Sequence, residues 1–581
     1  MNIKNELEKY IKEVLKELDL IDVNLEFSQP EDLSHGDYTT NVALVSFANS
    51  SFSKKHQEVK SPKDLAEEII ARIKEKTKKM DVFSKIEAAG PGFINFFLSE
   101  KYLSNNIDQL LEDKEKVLNI GKTPKGKVVV EYSSPNIAKP FTVGHLRSTI
   151  IGDAVANLLK ATGWEVLRDN HIGDWGSQFG KLLYAIKTWG DEKKIESADN
   201  PVKELVKLYV RFHKEAELDK ALEDKAREWF KKLEDGDIEA RRLWQKCIDW
   251  SFKEFDKLYK ELDIEFTENS KRGYGESFFE DKMSSVIDEL REKKLLKKDK
   301  GAELVYFKDD KYPPLMILKQ DGATLYATRD LATDKFRLKE YGKDVKIINE
   351  VGAEQSLYFN QLFEVEKMLG WVSNAQRVHI RHGHYRFKDQ KMSTRKGNVI
   401  FLEDLLSEAK AKVKTLIKTD SEVLEDKNIK EIAIGALKWN DLKRNSVQDI
   451  VFSWDDILNM QGDSGPYMQY TYARTQSILE KKGKLGFELK KDLLLKELEE
   501  LDLVRYILRY FDIVEQAADN YSPNLLCSYL FVLAQKFNLF YQKHKVIGGD
   551  NEEERLKIVT VTGIILEYGL GLLGIKSLKK M

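Results

Sequence analysis

One stretch of the chain, residues 128–180, constrains the fold more than any other. It opens with the β-branched run Val128–Val130, which predicts a short buried strand. A helical pattern follows at Leu146–Thr162 and ends at Gly163, where a left-handed helix end costs least. A second strand is predicted at Trp164–Leu167. Strand, helix and strand in this order form a βαβ unit of a parallel sheet, which binds ligands at the carboxyl ends of its strands.

The turn between the first strand and the helix is therefore where chemistry is expected. Unpaired N–H groups and the positive end of the helix dipole at such a turn favour phosphate. Gly144 would let a flat nucleobase approach the backbone, and Lys139 and His145 can donate to phosphate oxygens. In the alternative interpretation, His145 only caps the helix and Lys139 is solvated. The residues of the turn alone leave both interpretations open.

Length and composition limit the class of protein. With 581 residues the chain is too long for one core, so we expect three or four domains. The formal net charge of −2 gives no overall positive field, so a nucleic acid would bind through local patches. Two distant cysteines, Cys247 and Cys527, argue against a disulfide scaffold and fit a reducing cytoplasm. The most apolar segment, Ile558–Ile575, carries Glu567 and several glycines, which predicts a core helix and no membrane span.

Periodicity outlines the remaining elements. A charged helical stretch is predicted from about 190 to 263, after which we expect the parallel sheet to resume. Strands of that sheet are predicted at Leu304–Phe307, Leu315–Leu318 and Val345–Ile348.

Three further elements are predicted in the outer parts of the chain. A helix is expected at Pro62–Glu75 and a strand at Gly92–Phe97. Ser522 as N-cap and Pro523 at the first helical position predict the start of a helix in a C-terminal bundle.

Two signatures resemble those of class I aminoacyl-tRNA synthetases. Thr142–His145 resembles the HIGH signature, and Lys391–Asn398 resembles the KMSKS signature. The flanking segments Ser133–Phe141 and Asn170–Gly176 resemble the versions found in arginyl-tRNA synthetases. A four-letter match is weak by itself, whereas two long signatures in the family's order are specific.

This resemblance implies a multidomain α/β protein. It places a small α+β tRNA-contacting domain at 1–118, in which His35–Tyr38 resembles the domain that contacts the D-loop corner of the tRNA. A Rossmann-like parallel-sheet catalytic domain is expected at 119–400, with a helical insertion at about 190–263. A helical connector at 401–455 and an all-α anticodon-binding bundle at 456–581 complete the prediction.

The implied reaction is that of an arginine–tRNA ligase. ATP would activate L-arginine to arginyl-adenylate with release of pyrophosphate, and arginine would pass to the 2′-hydroxyl of the terminal adenosine of tRNA(Arg). Mg²⁺ would accompany ATP, and no zinc is expected. The resemblance further implies that the first step needs bound tRNA. We expect a cytoplasmic monomer that does not bind membranes.

A guanidinium requires carboxylates and flat polar partners, because its donors form a rigid planar fork. Tyr326 and Asp330 are four residues apart, so a helix would place both on one face, and Glu276 could supply a second acid. A solvated Asp on a charged helix is the alternative. The resemblance implies that arginine is bound by Glu131, Ser134, Pro135, Asn136, His145, Glu276, Tyr326, Asp330 and Gln355.

The resemblance also implies the remaining site residues, with two departures. Thr142 replaces the first histidine of HIGH, and Thr394 replaces the second lysine of KMSKS. We hypothesise that Lys139, just upstream of HIGH, supplies the missing charge while Thr142 still donates a hydrogen bond. The expected catalytic residues are Lys139, Thr142, His145 and Lys391, and the expected ATP-binding residues are Thr142, Gly144, His145, Lys391, Met392 and Ser393.

Other interpretations compete with this one. A non-catalytic tRNA-binding paralogue is suggested by Thr142, a cysteinyl enzyme would need zinc ligands, and a small nucleotidylyltransferase would not need a C-terminal bundle. The run 121–127 satisfies a phosphate-loop pattern, but Val128 stands where Ser or Thr would hold magnesium. His379, His382 and His384 are clustered, but their spacing is not that of a common zinc site.

Overall fold

The computed structural model describes most of the chain, and the predicted site residues Lys391, Met392 and Ser393 lie outside the described part. The described residues are 3–20, 23–30, 32–48, 59–78, 81–118, 120–121, 123–373, 375–386, 400–416, 425–483 and 495–581.

The N-terminal part forms an antiparallel sheet covered by helices. The sheet order is β1-β2-β4-β3, and Ile94, Phe96 and Leu98 of β4 are buried beneath the helices. The predicted helix at Pro62 and the predicted strand before Leu98 are both confirmed. The elements are α1 (Ile3–Glu17), β1 (Phe27–Ser28), β2 (Tyr38–Thr40), α2 (Val42–Phe47), α3 (Pro62–Thr77), β3 (Phe83–Ala89), β4 (Phe93–Leu98), α4 (Glu100–Glu112) and α5 (Glu115–Leu118).

The predicted βαβ unit is confirmed. It consists of β5 (Gly126–Glu131), α6 (Val143–Ala161) and β6 (Trp164–Asp169), and β5 and β6 pair in parallel. Gly163 follows the helix with φ of 96°, in the left-handed region. On α6, Gly152 packs so closely on Tyr132 that a Cβ there would lie 2.2 Å from the Tyr132 side chain. This contact fixes the helix against the end of β5.

The predicted helical stretch after β6 is also confirmed. Its longest helix, Ile238–Leu262, buries one face that includes Cys247, Phe255 and Leu258. The helices are α7 (Gln178–Trp189), α8 (Glu192–Ser197), α9 (Pro201–Leu218), α10 (Ala221–Glu234) and α11 (Ile238–Leu262).

The predicted resumption of the parallel sheet is wrong for two of its three strands. After a 3₁₀ helix (Glu276–Lys282) and α12 (Met283–Glu292), the chain forms a separate antiparallel sheet. The short links between its strands cause this arrangement, because parallel pairing needs a long crossover whereas antiparallel pairing does not. Its strands are β7 (Leu296–Asp299), β8 (Ala302–Val305) and β9 (Leu315–Leu318).

The third predicted strand does join the parallel sheet. The sheet order is β11-β10-β5-β6, so β5 is paired on both sides, and all three of its valines are fully buried. The elements that complete this region are α13 (Tyr326–Tyr341), β10 (Lys346–Gly352), α14 (Ser356–Met368), β11 (Arg377–His382) and β12 (Tyr385–Arg386).

Helices dominate the rest of the described chain. Pro523 begins one of them after Ser522, as predicted, although the Ser522 side chain makes no capping hydrogen bond. In the described ranges, every helix is too short or too polar to cross a bilayer. The elements are α15 (Leu402–Leu416), α16 (Asp426–Leu442), β13 (Ile450–Val451), α17 (Trp454–Ile457), α18 (Gly465–Lys482), α19 (Leu498–Leu508), α20 (Tyr510–Asp519), α21 (Pro523–Lys543) and α22 (Glu552–Leu572).

Two residues of the His35–Tyr38 motif connect the N-terminal sheet to this bundle. Asp37 is buried, with Oδ1 3.3 Å from Nε of Arg505. The Tyr38 hydroxyl donates to Asp512 over 2.7 Å, and the Gln29 amide donates to the same oxygen. These side chains therefore hold two parts of the protein together.

We predict that Tyr38→Phe weakens this junction. Losing a buried hydrogen bond to a carboxyl group should lower the free energy of unfolding by about 1–2 kcal/mol, measured by urea titration. Tyr306→Phe is the control, because its hydroxyl donates to Asp299 in an exposed pair. Equal changes in the two variants would contradict a structural role for Tyr38.

Candidate active site

The helix of the βαβ unit, α6, presents its N-terminus to solvent beyond the carboxyl end of β5. Gly144 is exposed there, and among the described residues a Cβ on it would meet only Oγ1 of Thr142, at 3.5 Å. The packing of the described residues therefore does not require glycine at this position, in contrast to Gly152. The open space above Gly144 suits a flat group lying on the first turn of α6.

His145 is held in one protonation state by this turn. Its Nδ1 accepts a hydrogen bond of 3.0 Å from the Thr142 backbone N–H and lies 3.1 Å from the Thr142 hydroxyl. Burial, together with the charges of Lys139 and His382, lowers the pKa of His145 to about 4. His145 is thus neutral at pH 7, and Nε2 carries the proton, which makes it a donor.

A cavity of about 270 Å³ opens beside this turn at the carboxyl ends of β5 and β10. The predicted residues that line it are Glu131, Ser134, Asn136, Glu276, Tyr326, Asp330 and Gln355. Pro135 and His145 are not among the lining residues: the Pro135 carbonyl accepts from the Gly173 N–H, and His145 lies on α6. The lining residues that sequence reasoning missed are His171, Gly173, Thr333, Asp334, Arg337, Asn349, Val351, Tyr358, Phe359 and Leu362.

Asp330 is held by two of the missed residues. The Tyr358 hydroxyl donates to Oδ2 of Asp330, and Nε2 of His171 lies 3.5 Å from Oδ1. Burial opposes protonation of His171, but Asp330, Glu131 and Glu276 together raise its pKa to about 9. His171 belongs to the Asn170–Gly176 motif, which points to it, whereas no sequence pattern points to Tyr358.

Glu276 faces Asp330 across the cavity from the start of its 3₁₀ helix. Its Oε2 lies 3.3 Å from Nη1 of Arg329, which also pairs with Glu280 at 2.6 Å. Burial raises the pKa of Glu276 to about 7, although His171 and Arg329 oppose that rise. Its charge therefore changes close to neutral pH.

The floor of the cavity is an ion network around Arg337. This guanidinium lies 2.6 Å from Glu131, 2.7 Å from Asp169 and 3.3 Å from Asp334. Burial opposes ionisation of Glu131, but Arg337 and His171 hold its pKa below the usual value. Glu131 is therefore an ionised carboxylate at the end of β5.

The clustered histidines have separate partners. His379 lies 3.1 Å from the Val351 carbonyl, His382 lies 2.7 Å from Glu350, and His384 lies 3.5 Å from Glu354. Within the described residues, no group of three His, Cys, Asp or Glu side chains is arranged to hold a metal ion.

A second, shallow cavity of about 510 Å³ lies on the C-terminal bundle between α18 and α21. Tyr541 and Arg474 line it, and the Arg474 guanidinium lies 5.7 Å from the centre of the Tyr541 ring and 5.0 Å from that of Tyr470, which is exposed on the same helix as Arg474. Asn538 accepts from Arg474 on the cavity wall. Exposed rings and amides of this kind suit stacking with unpaired bases.

The two features at β5 are chemically complementary. The cavity carries four acidic side chains and suits a cation with several donors, while the start of α6 suits a phosphate. Both follow the same strand end, so one substrate of each kind can meet between them.

Comparisons with known proteins agree with this geometry. Three family models match: an arginyl-tRNA synthetase N-terminal domain over residues 2–98, the catalytic domain of class I tRNA synthetases (R) over 106–454, and a DALR anticodon-binding domain over 468–581. An arginine–tRNA ligase from Fusobacterium nucleatum is 40% identical, covering 99% of this chain and 98% of its own length. One from Halothermothrix orenii is 38% identical over the whole of both chains.

Solved structures show the same relationship. Arginyl-tRNA synthetase from Plasmodium falciparum matches with a TM-score of 0.84 and 28% identity, covering 100% of this chain and 99% of its own. The Thermus thermophilus arginyl-tRNA synthetase has the same fold, with a TM-score of 0.81, 23% identity and coverage of 99% and 100%. The chain therefore belongs to the arginyl-tRNA synthetase family of class I aminoacyl-tRNA synthetases.

Proposed function

We infer that the chain is an arginine–tRNA ligase that uses ATP. Arginine's carboxylate attacks the α-phosphorus of ATP, giving arginyl-adenylate and pyrophosphate, and the 2′-hydroxyl of the terminal adenosine of tRNA(Arg) then takes the arginyl group. The observation that carries this proposal is the acidic cavity around Asp330, which is lined by Glu131, Ser134 and Asn136 from the strand end and turn that lead into α6. A non-catalytic paralogue finds no support among the relatives, which are named arginine–tRNA ligases.

Asp330 is the proposed anchor for the substrate guanidinium. Arg329 already engages Glu276, and Arg337 already engages Glu131, whereas Asp330 accepts from the Tyr358 phenol and lies, at 3.5 Å, more loosely against the His171 imidazolium. A planar fork can use both oxygens of this carboxylate. Tyr326 on the same helix face and Gln355 opposite it complete the proposed grip.

A lysine would be a poor substitute for arginine in this cavity. Its ammonium is a compact charge, so it cannot pair with Asp330 in the bidentate manner of a guanidinium. A buried acid would then be left without a full partner, which is costly.

Glu131, Ser134 and Asn136 are proposed to receive the amino-acid end of the substrate. Glu131 is ionised and faces the cavity from the end of β5, so it suits the α-ammonium. Pro135 is proposed to shape the turn, since its carbonyl fixes Gly173. The arginine carboxylate then points towards α6.

ATP is proposed to lie on the first turn of α6, with its base over Gly144. The neutral His145 donates from Nε2 to a phosphate oxygen, and Lys139 supplies a positive charge beside it. The backbone N–H of Thr142 fixes the His145 ring. Because this donor belongs to the backbone, the role does not need a histidine side chain at position 142. Mg²⁺ would arrive on the triphosphate and keep most of its waters.

The proposed partner is tRNA(Arg), with its anticodon bases stacked on the exposed rings of Tyr541, in the cavity of the C-terminal bundle, and Tyr470, beside Arg474. Lys391, Met392 and Ser393 are proposed to close on the pyrophosphate on the strength of their signature alone.

A monomeric state, a cytoplasmic location and a tRNA requirement for arginine activation stay predictions, as do the domain boundaries at 118, 400 and 455.

We predict that, among the twenty amino acids, arginine alone supports ATP–pyrophosphate exchange, assayed with and without bulk tRNA.

Asp330→Asn should raise the KM for arginine by about 10- to 100-fold, because a charged hydrogen bond is lost, and should leave the KM for ATP unchanged. Asp281→Asn is the control, since Asp281 is an exposed acid on the 3₁₀ helix of Glu276. An unchanged KM in Asp330→Asn would overturn the assignment.

The pKa of Glu276, about 7, predicts a pH dependence. Below this pH the carboxyl group is neutral and the cavity loses one negative charge, so the KM for arginine should fall as pH rises from 6 to 8 and then level off. Glu276→Gln should remove this inflection and leave the KM high throughout.

Glu254→Gln provides the matched control for this pH profile. Burial raises the pKa of Glu254 to about 7 as well, but Glu254 does not line the cavity. Its substitution should preserve the inflection. A flat profile in the unsubstituted protein, or an inflection that survives Glu276→Gln, would refute the prediction.

We predict that Lys139→Ala slows arginine-dependent ATP–pyrophosphate exchange by about two to three powers of ten, the usual cost of removing a donor that acts in the transition state. Lys139→Arg keeps the charge and should recover part of the rate. Lys160→Ala, at the far end of α6, should have no effect. A rate unchanged in Lys139→Ala would remove Lys139 from the mechanism.

A further inference from the structure

Arg337 is a fully buried guanidinium directly beneath the proposed arginine site. It reaches the carboxyl ends of two neighbouring strands, with Nη1 2.6 Å from Oε2 of Glu131 and Nη2 2.7 Å from Oδ2 of Asp169. Asp334, one turn earlier on α13, lies 3.3 Å from Nη1. One positive side chain thus serves three buried acids.

A second buried arginine extends the network away from the cavity. Arg377 on β11 lies 2.7 Å from Asp334 and 2.9 Å from Glu366. In this network, four carboxyl groups share two guanidinium groups. Burial raises the pKa of Glu366 well above its usual value and favours its protonated form, so three acids remain for the two guanidinium groups. Burying the remaining negative charge is costly unless a further cation lies beside it, such as the His171 imidazolium or a ligand ammonium.

Glu131 is the place where a further cation can enter. Arg337, Glu131 and Asp334 line the cavity, whereas Asp169, Glu366 and Arg377 do not. Both oxygens of Asp334 are already paired with guanidinium groups, Oδ1 with Arg337 and Oδ2 with Arg377. Arg337 engages Oε2 of Glu131 and Asn349 also hydrogen-bonds this carboxylate, so Glu131 is held in one orientation in which it can receive a cation from the cavity. The forked guanidinium matters here, because it fixes Glu131 and Asp169 at the same time, which a point charge cannot do.

We propose that Arg337 is a positioning residue that aims Glu131 at the α-ammonium of the substrate, so that the protein selects an α-amino acid over a guanidino acid lacking the amino group. This inference rests on the proposed function, because it takes arginine as the ligand. Without Arg337, Glu131 would face Asp169 and Asp334 unneutralised and would bind a proton in place of an ammonium.

Equilibrium binding to the full chain tests this proposal with two ligands. Calorimetry would compare L-arginine with δ-guanidinovaleric acid, which keeps the guanidinium and the carboxylate but lacks the α-amino group. The unsubstituted protein should bind L-arginine about 10- to 100-fold more tightly, the value of one charged hydrogen bond. In Arg337→Met this ratio should fall to about one, while the affinity for δ-guanidinovaleric acid stays within about threefold, because only the partner of the missing amino group is lost.

Arg377→Met is the matched control. Arg377 is equally buried and shares Asp334 with Arg337, but it does not contact Glu131. Its loss should destabilise the fold and leave the ratio of affinities unchanged. Two results would overturn the proposal: an equal loss of affinity for both ligands in Arg337→Met, or an equal fall of the affinity ratio in Arg377→Met. Either result would mean that the substitution loosens the whole site and does not act through Glu131.

Two further variants cover the case in which Arg337→Met does not fold. Glu131→Gln should itself reduce the ratio to about one, and adding Arg337→Lys to it should reduce the ratio no further, because the two act through one interaction. Arg337→Lys alone should lose most of the preference for L-arginine over δ-guanidinovaleric acid. An unchanged affinity ratio in this variant would show that the planar guanidinium of Arg337 is not needed. An unsubstituted protein that binds neither ligand would instead refute the proposed function, which is a separate failure.

Discussion

The site depends on one strand, β5, being fixed on every side. Val128, Val129 and Val130 are fully buried, and the strand is paired with β6 on one side and β10 on the other. Its last residue, Glu131, therefore emerges at a defined point, and Gly152 against Tyr132 sets the following helix at a defined height. This packing therefore sets the distance between the Glu131 carboxylate in the cavity and the N-terminus of α6, where phosphate is proposed to bind.

The acids of the cavity differ in their partners. Arg329 holds Glu276 and Arg337 holds Glu131, while Asp330 accepts from the Tyr358 phenol and lies 3.5 Å from the His171 imidazolium, which makes Asp330 the acid proposed for the ligand. The protein thus uses its own guanidinium groups to prepare a site for another guanidinium. Selectivity follows from geometry as much as from charge, since a planar fork satisfies a carboxylate that an ammonium only approaches.

Local sequence patterns predicted the βαβ unit of β5, α6 and β6 and the turn before α6. They succeeded because β-branched runs and the residues that begin and end a helix are recognisable within a few positions. The four-residue spacing of Tyr326 and Asp330 also placed both correctly on one helix face. The same reasoning failed for β8 and β9, where a run of apolar residues showed a strand but not its partner. Pairing depended on the short links, which periodicity does not register.

Arg337 and Tyr358 escaped the sequence for a different reason. Arg337 meets Asp169 across 168 positions, and Tyr358 meets Asp330 across 28, so no local pattern connects either pair. Asp37 and Tyr38 show the reverse case: their motif was expected in a tRNA-contacting domain, yet both side chains face the C-terminal bundle. A motif thus indicates a family more securely than it indicates what each of its residues touches.

A guanidino group and a triphosphate should lie next to each other at the end of β5, and a crystal structure after soaking with L-arginine and ATP would show whether they do. We expect the guanidinium within about 3 Å of both Asp330 oxygens, the triphosphate against the first turn of α6, and the arginine carboxylate within about 3.5 Å of the α-phosphorus. A structure in which Asp330 turns to solvent, or in which the two ligands lie many ångströms apart, would refute this arrangement.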